Sequence, residues 1–239
     1  MLNIKSRDII LKDKKRIGDF LMSAFIFDMD GLLVDSERLM FDSWKKVAEM
    51  HGLDGIEVLF PKFLGVNKAT RKSLFESCYG ASQNFEKCED EVKEIATRTE
   101  SESPTPLKRG AKELLSYLKS KQFKLGLASS SSAATIARRT KDNGIDIFFD
   151  AVVSGEHVKK SKPDPEIFLT CAEKLGENPY ECTVFEDSFN GIKAAHFAKM
   201  RPVMIPDLIE PDEYIKSLAY AIYPSLEDVK SDMEKGKLF

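Results

Sequence analysis

Long apolar runs are missing from this chain, and no stretch approaches the roughly 18 residues that a membrane helix requires. A membrane partner is therefore not expected. Charge of one sign is missing too: 36 Lys and Arg stand against 39 Asp and Glu, a net charge of -3, with the signs interspersed. That balance leaves no electrostatic footprint for nucleic acid or an anionic membrane. Cysteine is scarce, and the spacings of Cys78, Cys88, Cys171 and Cys182 contain no C-x-x-C and no metal-finger pattern. Four reduced, partly buried thiols are the simplest reading, which favours the cytoplasm. The opening "MLNIKSRDIILKDKKRIGDFL" is too charged for a signal peptide. No obligate protein partner is evident.

What the sequence does contain is a change of rhythm. "SAFIFD" is a short apolar, aromatic run that reads as a buried strand. From Ser36 the pattern turns helical: Met40, Trp44, Val47 and His51 recur at three- and four-residue spacing, with Ser36 as N-cap and Gly52 as the stop. Charge-rich helical sequence continues with no strand, so residues 37–103 read as an all-helical insert. Trp44 reads as part of its core. "SPTP" at 103–106 is a stiff, extended linker, because proline fixes its own backbone and disfavours helix in the residue before it.

Beyond the linker the chain alternates. The helices are "GAKELLSYLKSK", "AATIARRTKDNG", "DPEIFLTCAEKLG" and "NGIKAAHFAKM"; the strands are "FKLGLA", "DAVVS", "CTVFE", "PVMI" and a final "YAIY". Such alternation implies an α/β fold with a parallel sheet covered by helices on both faces. "AFIFD" belongs to that sheet although the helical block separates it in sequence. The expected domains are an extension, 1–21, a core built from 22–36 and 104–239, and the helical insert.

In open parallel sheets the ligand crevice lies at the carboxyl ends of the strands. The polar residues there are Asp28 and Asp30, then Ser129 and Ser130, then Lys162, then Glu186, Asp187 and Ser188. Hard oxygen donors suit Mg2+, a serine-rich turn opening a helix suits an anion, and a lysine adds a compact positive charge to that anion. Each element alone has a plainer reading. A D-x-D is a common turn, "ASSSS" a helix N-cap run, Lys162 a solvated loop lysine, and Asp164, Pro165 and Glu166 ordinary helix-start residues. Agreement of four strand ends on one chemistry points to phosphoryl transfer.

Four motifs, "DMDGLLVDS", "LASSS", "KSKPDPEIF" and "VFEDSFNGIKAA", resemble those of the haloacid dehalogenase superfamily. The resemblance runs from about Ser23 to Pro206 and is strongest to the branch of phosphatases and β-phosphoglucomutase-like proteins. It implies a three-layer Rossmann-like core with an inserted helical cap over the crevice, hinged near Asp35–Ser36 and Pro104–Pro106. It makes Asp28 the nucleophile and Asp30 the general acid and base. It places Mg2+ on the Asp28 carboxylate, the Asp30 backbone carbonyl and Asp187, with Glu186 direct or through water. Ser129, with Ser130 beside it, and Lys162 would hold the phosphoryl oxygens. Lys68 and Arg71 are the cap candidates for substrate contact, and a solvated helix face is the alternative for both.

The implied substrate is a small phosphorylated metabolite of the sugar or polyol class, hydrolysed through an aspartyl phosphate. Asp30 argues against the dehalogenase and phosphonate-cleaving branches. A sugar-phosphate mutase is the second reading, weakened because relatives of that type carry histidine where this chain has Met40 and arginine where it has Lys68. A non-catalytic phosphate- or partner-binding protein is the third. Lys199 stands where such relatives usually have glycine. The first 21 residues have no counterpart in the motifs, and Met22 resembles a natural start.

Overall fold

The computed structural model describes residues 15–17, 20–64, 66 and 68–237. Strands β1 (Lys15–Ile17) and β2 (Phe20–Met22) pair antiparallel as a separate ribbon, Lys15 opposite Met22. The rest of the expected extension, 1–14 with 18 and 19, lies outside the described residues.

Strand β3 (Ala24–Phe27) heads the main sheet, followed in sequence by β4 (Lys124–Ser129), β5 (Ala151–Ser154), β6 (Cys182–Glu186), β7 (Arg201–Met204) and β8 (Ala221–Ile222). Among the described residues these six form one sheet in the order β5-β4-β3-β6-β7-β8, with every neighbouring pair parallel. The chain winds outward from β3 through β4 to β5, then returns to β6 on the other side of β3. The order reverses beside β3, which is where an open sheet forms its crevice.

Strand alternation divides the core into two layers. Phe25 and Phe27 point to one face, with Leu125, Leu127, Phe185 and Val203. Ala24 and Ile26 point to the other, with Ala128, Val153 and Val184. The first face is covered by α5 (Ala111–Ser120), α6 (Ala133–Asp142) and α10 (Leu226–Glu234). The second is covered by α7 (Glu166–Leu175) and α8 (Phe189–Phe197), and α9 (Glu213–Leu218) packs its Ile215 against Ile192 and Met204. Phe185 stacks on Phe27 at 4.9 Å between centroids, fixing β6 against β3 where their ends carry the acidic residues.

The segment between β3 and α5 forms α1 (Ser36–His51), α2 (Ile56–Leu59), α3 (Lys68–Tyr79) and α4 (Phe85–Glu102). These helices have their own core, in which Trp44 meets Phe63, Phe75 and Phe85. The two connections to this layer run side by side: Asp35 N donates to Pro106 O and Lys108 N to Leu33 O, each at 2.9 Å. Asp35, not Ser36, is the N-cap of α1; Ser36 is the first helical residue, and its hydroxyl is used elsewhere. Gly52 ends α1 with φ +65°. Lys199 adopts φ +62°, the left-handed backbone that glycine tolerates more readily. The sequence reading named neither α9 nor α10: both are short, and each start is marked only by a capping Asp212 or Ser225.

All four cysteines are free, and three of them are buried. Among the described residues no helix is long and apolar enough to cross a membrane.

Candidate active site

Asp28 follows β3 directly, and its backbone N donates to Phe185 O at 3.0 Å, so the loop begins in register with β6. The turn after Asp30 depends on Gly31, whose φ of +80° suits glycine and whose position leaves no room for more: a Cβ would lie 2.2 Å from Asp187 Oδ2. A similar close approach fixes Glu186. A Cβ on Gly191 in α8 would fall 1.8 Å from its carboxyl, so glycine there lets the helix pass over a buried acid.

These approaches bring Asp28, Glu186 and Asp187 together, with carboxylate oxygens all within 4.8 Å of one another. Asp28 and Glu186 are buried and Asp187 is partly so. Burial pushes the Asp28 carboxyl up to about 8; Lys162 opposes the shift, and Glu186 and Asp30 add to it. Asp187 is raised well above the ordinary carboxylate range by burial and by repulsion from Glu186, Asp28 and Glu37. The compensating cation is Lys162, whose Nζ donates to Asp28 Oδ1 at 2.5 Å, Glu186 Oε1 at 2.7 Å and Ala128 O at 3.3 Å. Glu186 Oε2 accepts from Ser188 N at 2.7 Å. One ammonium facing three carboxyl groups leaves negative charge in excess, and the donors are all oxygen. Both properties fit a hard divalent cation.

Asp30 faces a different set. Its Oδ2 accepts from Ser129 Oγ at 3.0 Å and Ser131 Oγ at 2.8 Å; its Oδ1 accepts from Ser36 Oγ at 3.0 Å and from the Arg139 guanidinium. The buried Ser129 hydroxyl is thus engaged with Asp30, while Ser130 lines the open cleft.

That cleft, about 680 Å³, is walled by Asp28, Asp30, Lys162, Glu186 and Asp187 from the core and by Val66 and Thr70 from the helical layer. A second cavity of about 200 Å³ adjoins it, sharing Glu37, Val66, Asp187, Ser188 and Asn190, and adding Lys193 and Asp207. The two spaces therefore meet beside Asp187.

The match to a family model closes the argument: the description is haloacid dehalogenase-like hydrolase, over residues 25–205. The chain belongs to the haloacid dehalogenase-like hydrolase family.

Among its relatives is the phosphorylated carbohydrates phosphatase of Thermotoga maritima, 33% identical over 219 residues that cover 90% of this chain and 92% of the relative. Hexitol phosphatase B of Escherichia coli K12 is 34% identical, covering 77% and 83% of the two chains. The crystal structure of β-phosphoglucomutase from Clostridium difficile superposes with a TM-score of 0.70 at 26% identity, covering 90% of this chain and 96% of that one. These are haloacid dehalogenase-like proteins of the phosphatase and β-phosphoglucomutase-like branch.

Of the residues singled out from the sequence, Asp28, Asp30, Ser130, Lys162, Glu186 and Asp187 line one cleft. Lys68 and Arg71 are absent from its lining. They bind Glu89 of α4, Lys68 Nζ at 2.9 Å and Arg71 Nη2 at 2.8 Å, and Arg71 also donates to Val66 O. Sequence reasoning missed Glu37, Ser131 and Arg139. Glu37 stands one residue past the end of the first motif, "DMDGLLVDS", and lines both cavities. Burial, with repulsion from Asp30 and Asp207, pushes it up to about 7. Ser131 lay within a recognised serine run, but nothing in "ARRTKD" distinguishes Arg139 from a surface helix charge.

Proposed function

We propose that this protein is a Mg2+-dependent phosphatase that hydrolyses a small phosphorylated metabolite of the sugar or polyol class. The observation that carries the reading is the Lys162 ammonium held between Asp28 and Glu186 in the wall of the cleft, with Asp187 beside them. Asp28 would hold the ion with Asp187, the Asp30 backbone carbonyl and Glu186. When bound, Mg2+ supplies positive charge against the carboxylates and the phosphoryl oxygens.

In the first half-reaction a carboxylate oxygen of Asp28 attacks phosphorus and the bond to the leaving oxygen breaks. Asp30 gives its proton to that oxygen, releasing an alcohol and leaving an aspartyl phosphate on Asp28. In the second half-reaction Asp30 takes a proton from water as the water oxygen attacks phosphorus and the bond to Asp28 breaks, releasing inorganic phosphate and regenerating the Asp28 carboxylate and the protonated Asp30. Lys162 and the donors of the serine run balance the charge spread over the equatorial oxygens. Helices α1 to α4 act as the cap that excludes bulk water.

Two observations favour hydrolysis over a mutase reaction. Met40 packs on the helical core, and Lys68 is turned to Glu89 rather than to a second phosphate. A panel of sugar, polyol and nucleotide phosphates assayed with Mg2+ and then with EDTA tests the proposal. Mg2+-dependent release of phosphate from polyol or sugar phosphates is expected. Absence of release across the panel removes the hydrolase reading, and conversion of β-glucose 1-phosphate with a bisphosphate primer into glucose 6-phosphate replaces it with the mutase.

A further inference from the structure

Four hydrogen bonds fill the acceptor sites of the Asp30 carboxylate, three from serine hydroxyls and one from Arg139. The Arg139 bond is the charge-assisted one, and such bonds are about twice as strong as neutral ones. Arg139 is not committed to Asp30 alone. Its Nε donates to Glu100 Oε1 at 2.7 Å; Glu100 is buried and Arg139 largely so, 5% and 11% exposed. One guanidinium therefore bridges the proposed acid and a second carboxylate that has no place in the reaction.

Glu100 lies in the last turn of α4, immediately before the linker out of the helical layer, and its Oε1 also accepts from Thr105 Oγ1 in that linker at 2.6 Å. Arg139 belongs to α6, which packs on the sheet. Any displacement of the helical layer relative to the sheet moves Glu100 relative to Arg139, and so changes how Arg139 divides itself between the two acids. We propose that Arg139 is a positioning residue for Asp30, and that competition from Glu100 makes the position of the helical layer set how tightly Asp30 is held as an acceptor. This inference rests on the reading of Asp30 as the acid that protonates the leaving oxygen.

The readout is the ratio of kcat for p-nitrophenyl phosphate, whose leaving group needs little protonation, to kcat for a hexitol phosphate, whose leaving group needs much. Glu100→Gln leaves Arg139 with a single anionic partner at this point, so Asp30 is held harder and the ratio rises about tenfold with KM little changed, against the 10²–10⁴-fold that general acid catalysis supplies. In an Arg139→Met background, and in an Arg139→Lys background should the first fold poorly, Glu100→Gln leaves the ratio unmoved. A ratio insensitive to Glu100→Gln, or equally sensitive with Arg139 replaced, overturns the inference. Asp30→Asn separates the two levels. If it leaves the ratio at the unaltered protein's value, the reading of Asp30 as acid fails; if it raises the ratio while Glu100→Gln does not, only the role of Arg139 and Glu100 falls.

Discussion

The Lys162 ammonium sits 2.5 Å from Asp28 Oδ1, and both side chains are less than a tenth exposed, so ammonium and carboxyl stand in for water toward each other. Burial by itself would depress a lysine, yet the attraction of Asp28 and Glu186 raises Lys162 above its ordinary value. Replacing it by methionine leaves buried acids without their cation, and breaking a buried pair in this way costs roughly 3–5 kcal/mol. The expected outcome for Lys162→Met is a large loss of stability in EDTA, seen by thermal melting, together with loss of turnover. An unchanged melting temperature would show that the acids are compensated by something else.

The pH dependence follows from Asp28. An unfolded aspartate ionises near 3.8, whereas the buried one is pushed up to about 8. Between those values the folded protein holds a proton that the unfolded chain has released. Stability of the metal-free protein therefore falls as pH rises through this window and levels off above it. Asp187, also raised, acts in the same sense. Mg2+ requires the carboxylates deprotonated, so its stabilising increment should be larger at about pH 9 than at about pH 6. Melting curves with EDTA and with Mg2+ at the two values check this. Asp28→Asn should flatten the metal-free profile while abolishing turnover.

Gly191 is predicted to be intolerant of a single added carbon. The Glu186 carboxyl that a Cβ would strike is pinned by Lys162 and Ser188 N, so it has little freedom to withdraw. Overpacking of this kind costs about 1–3 kcal/mol. Gly191→Ala should lower both the melting temperature and the affinity for Mg2+, measured by titration against activity; displacement of Glu186 alone would lower only the second.

The Glu89 cluster in the helical layer calls for the opposite pattern. Burial would raise Glu89, but hydrogen bonds from Arg71, Lys68 and Lys93 bring it down to about 2. Removing Arg71 should therefore weaken the layer, by about 1 kcal/mol for a partly exposed pair, while KM for a hexitol phosphate changes little. A raised KM with unaltered melting would return Arg71 to the role of substrate contact.

The strand-end acids and Lys162 were legible in the sequence because short apolar strands carry their polar residues at one end. The same local signals announced the strands of the parallel sheet and the stop of α1 at Gly52. Ser129 was legible as a polar residue at a strand end. That its hydroxyl turns to Asp30 was not, since the direction of a side chain depends on what surrounds it.

Sequence alone determined the alternation of helices and strands, the helical insert and the polar residues at the strand ends, since these rest on periodicity and local backbone preference. Tertiary structure alone decided which charges share a partner. Arg139 is 109 residues from Asp30 and Glu100 is 39 from Arg139. Charges so far apart in sequence meet only because α6 packs on the sheet and the end of α4, in the helical layer, comes against α6, and no local pattern in the chain encodes that meeting. For the same reason Lys68 and Arg71 read as candidates for substrate contact, or as solvated charges, where the structure sets both against Glu89 of α4.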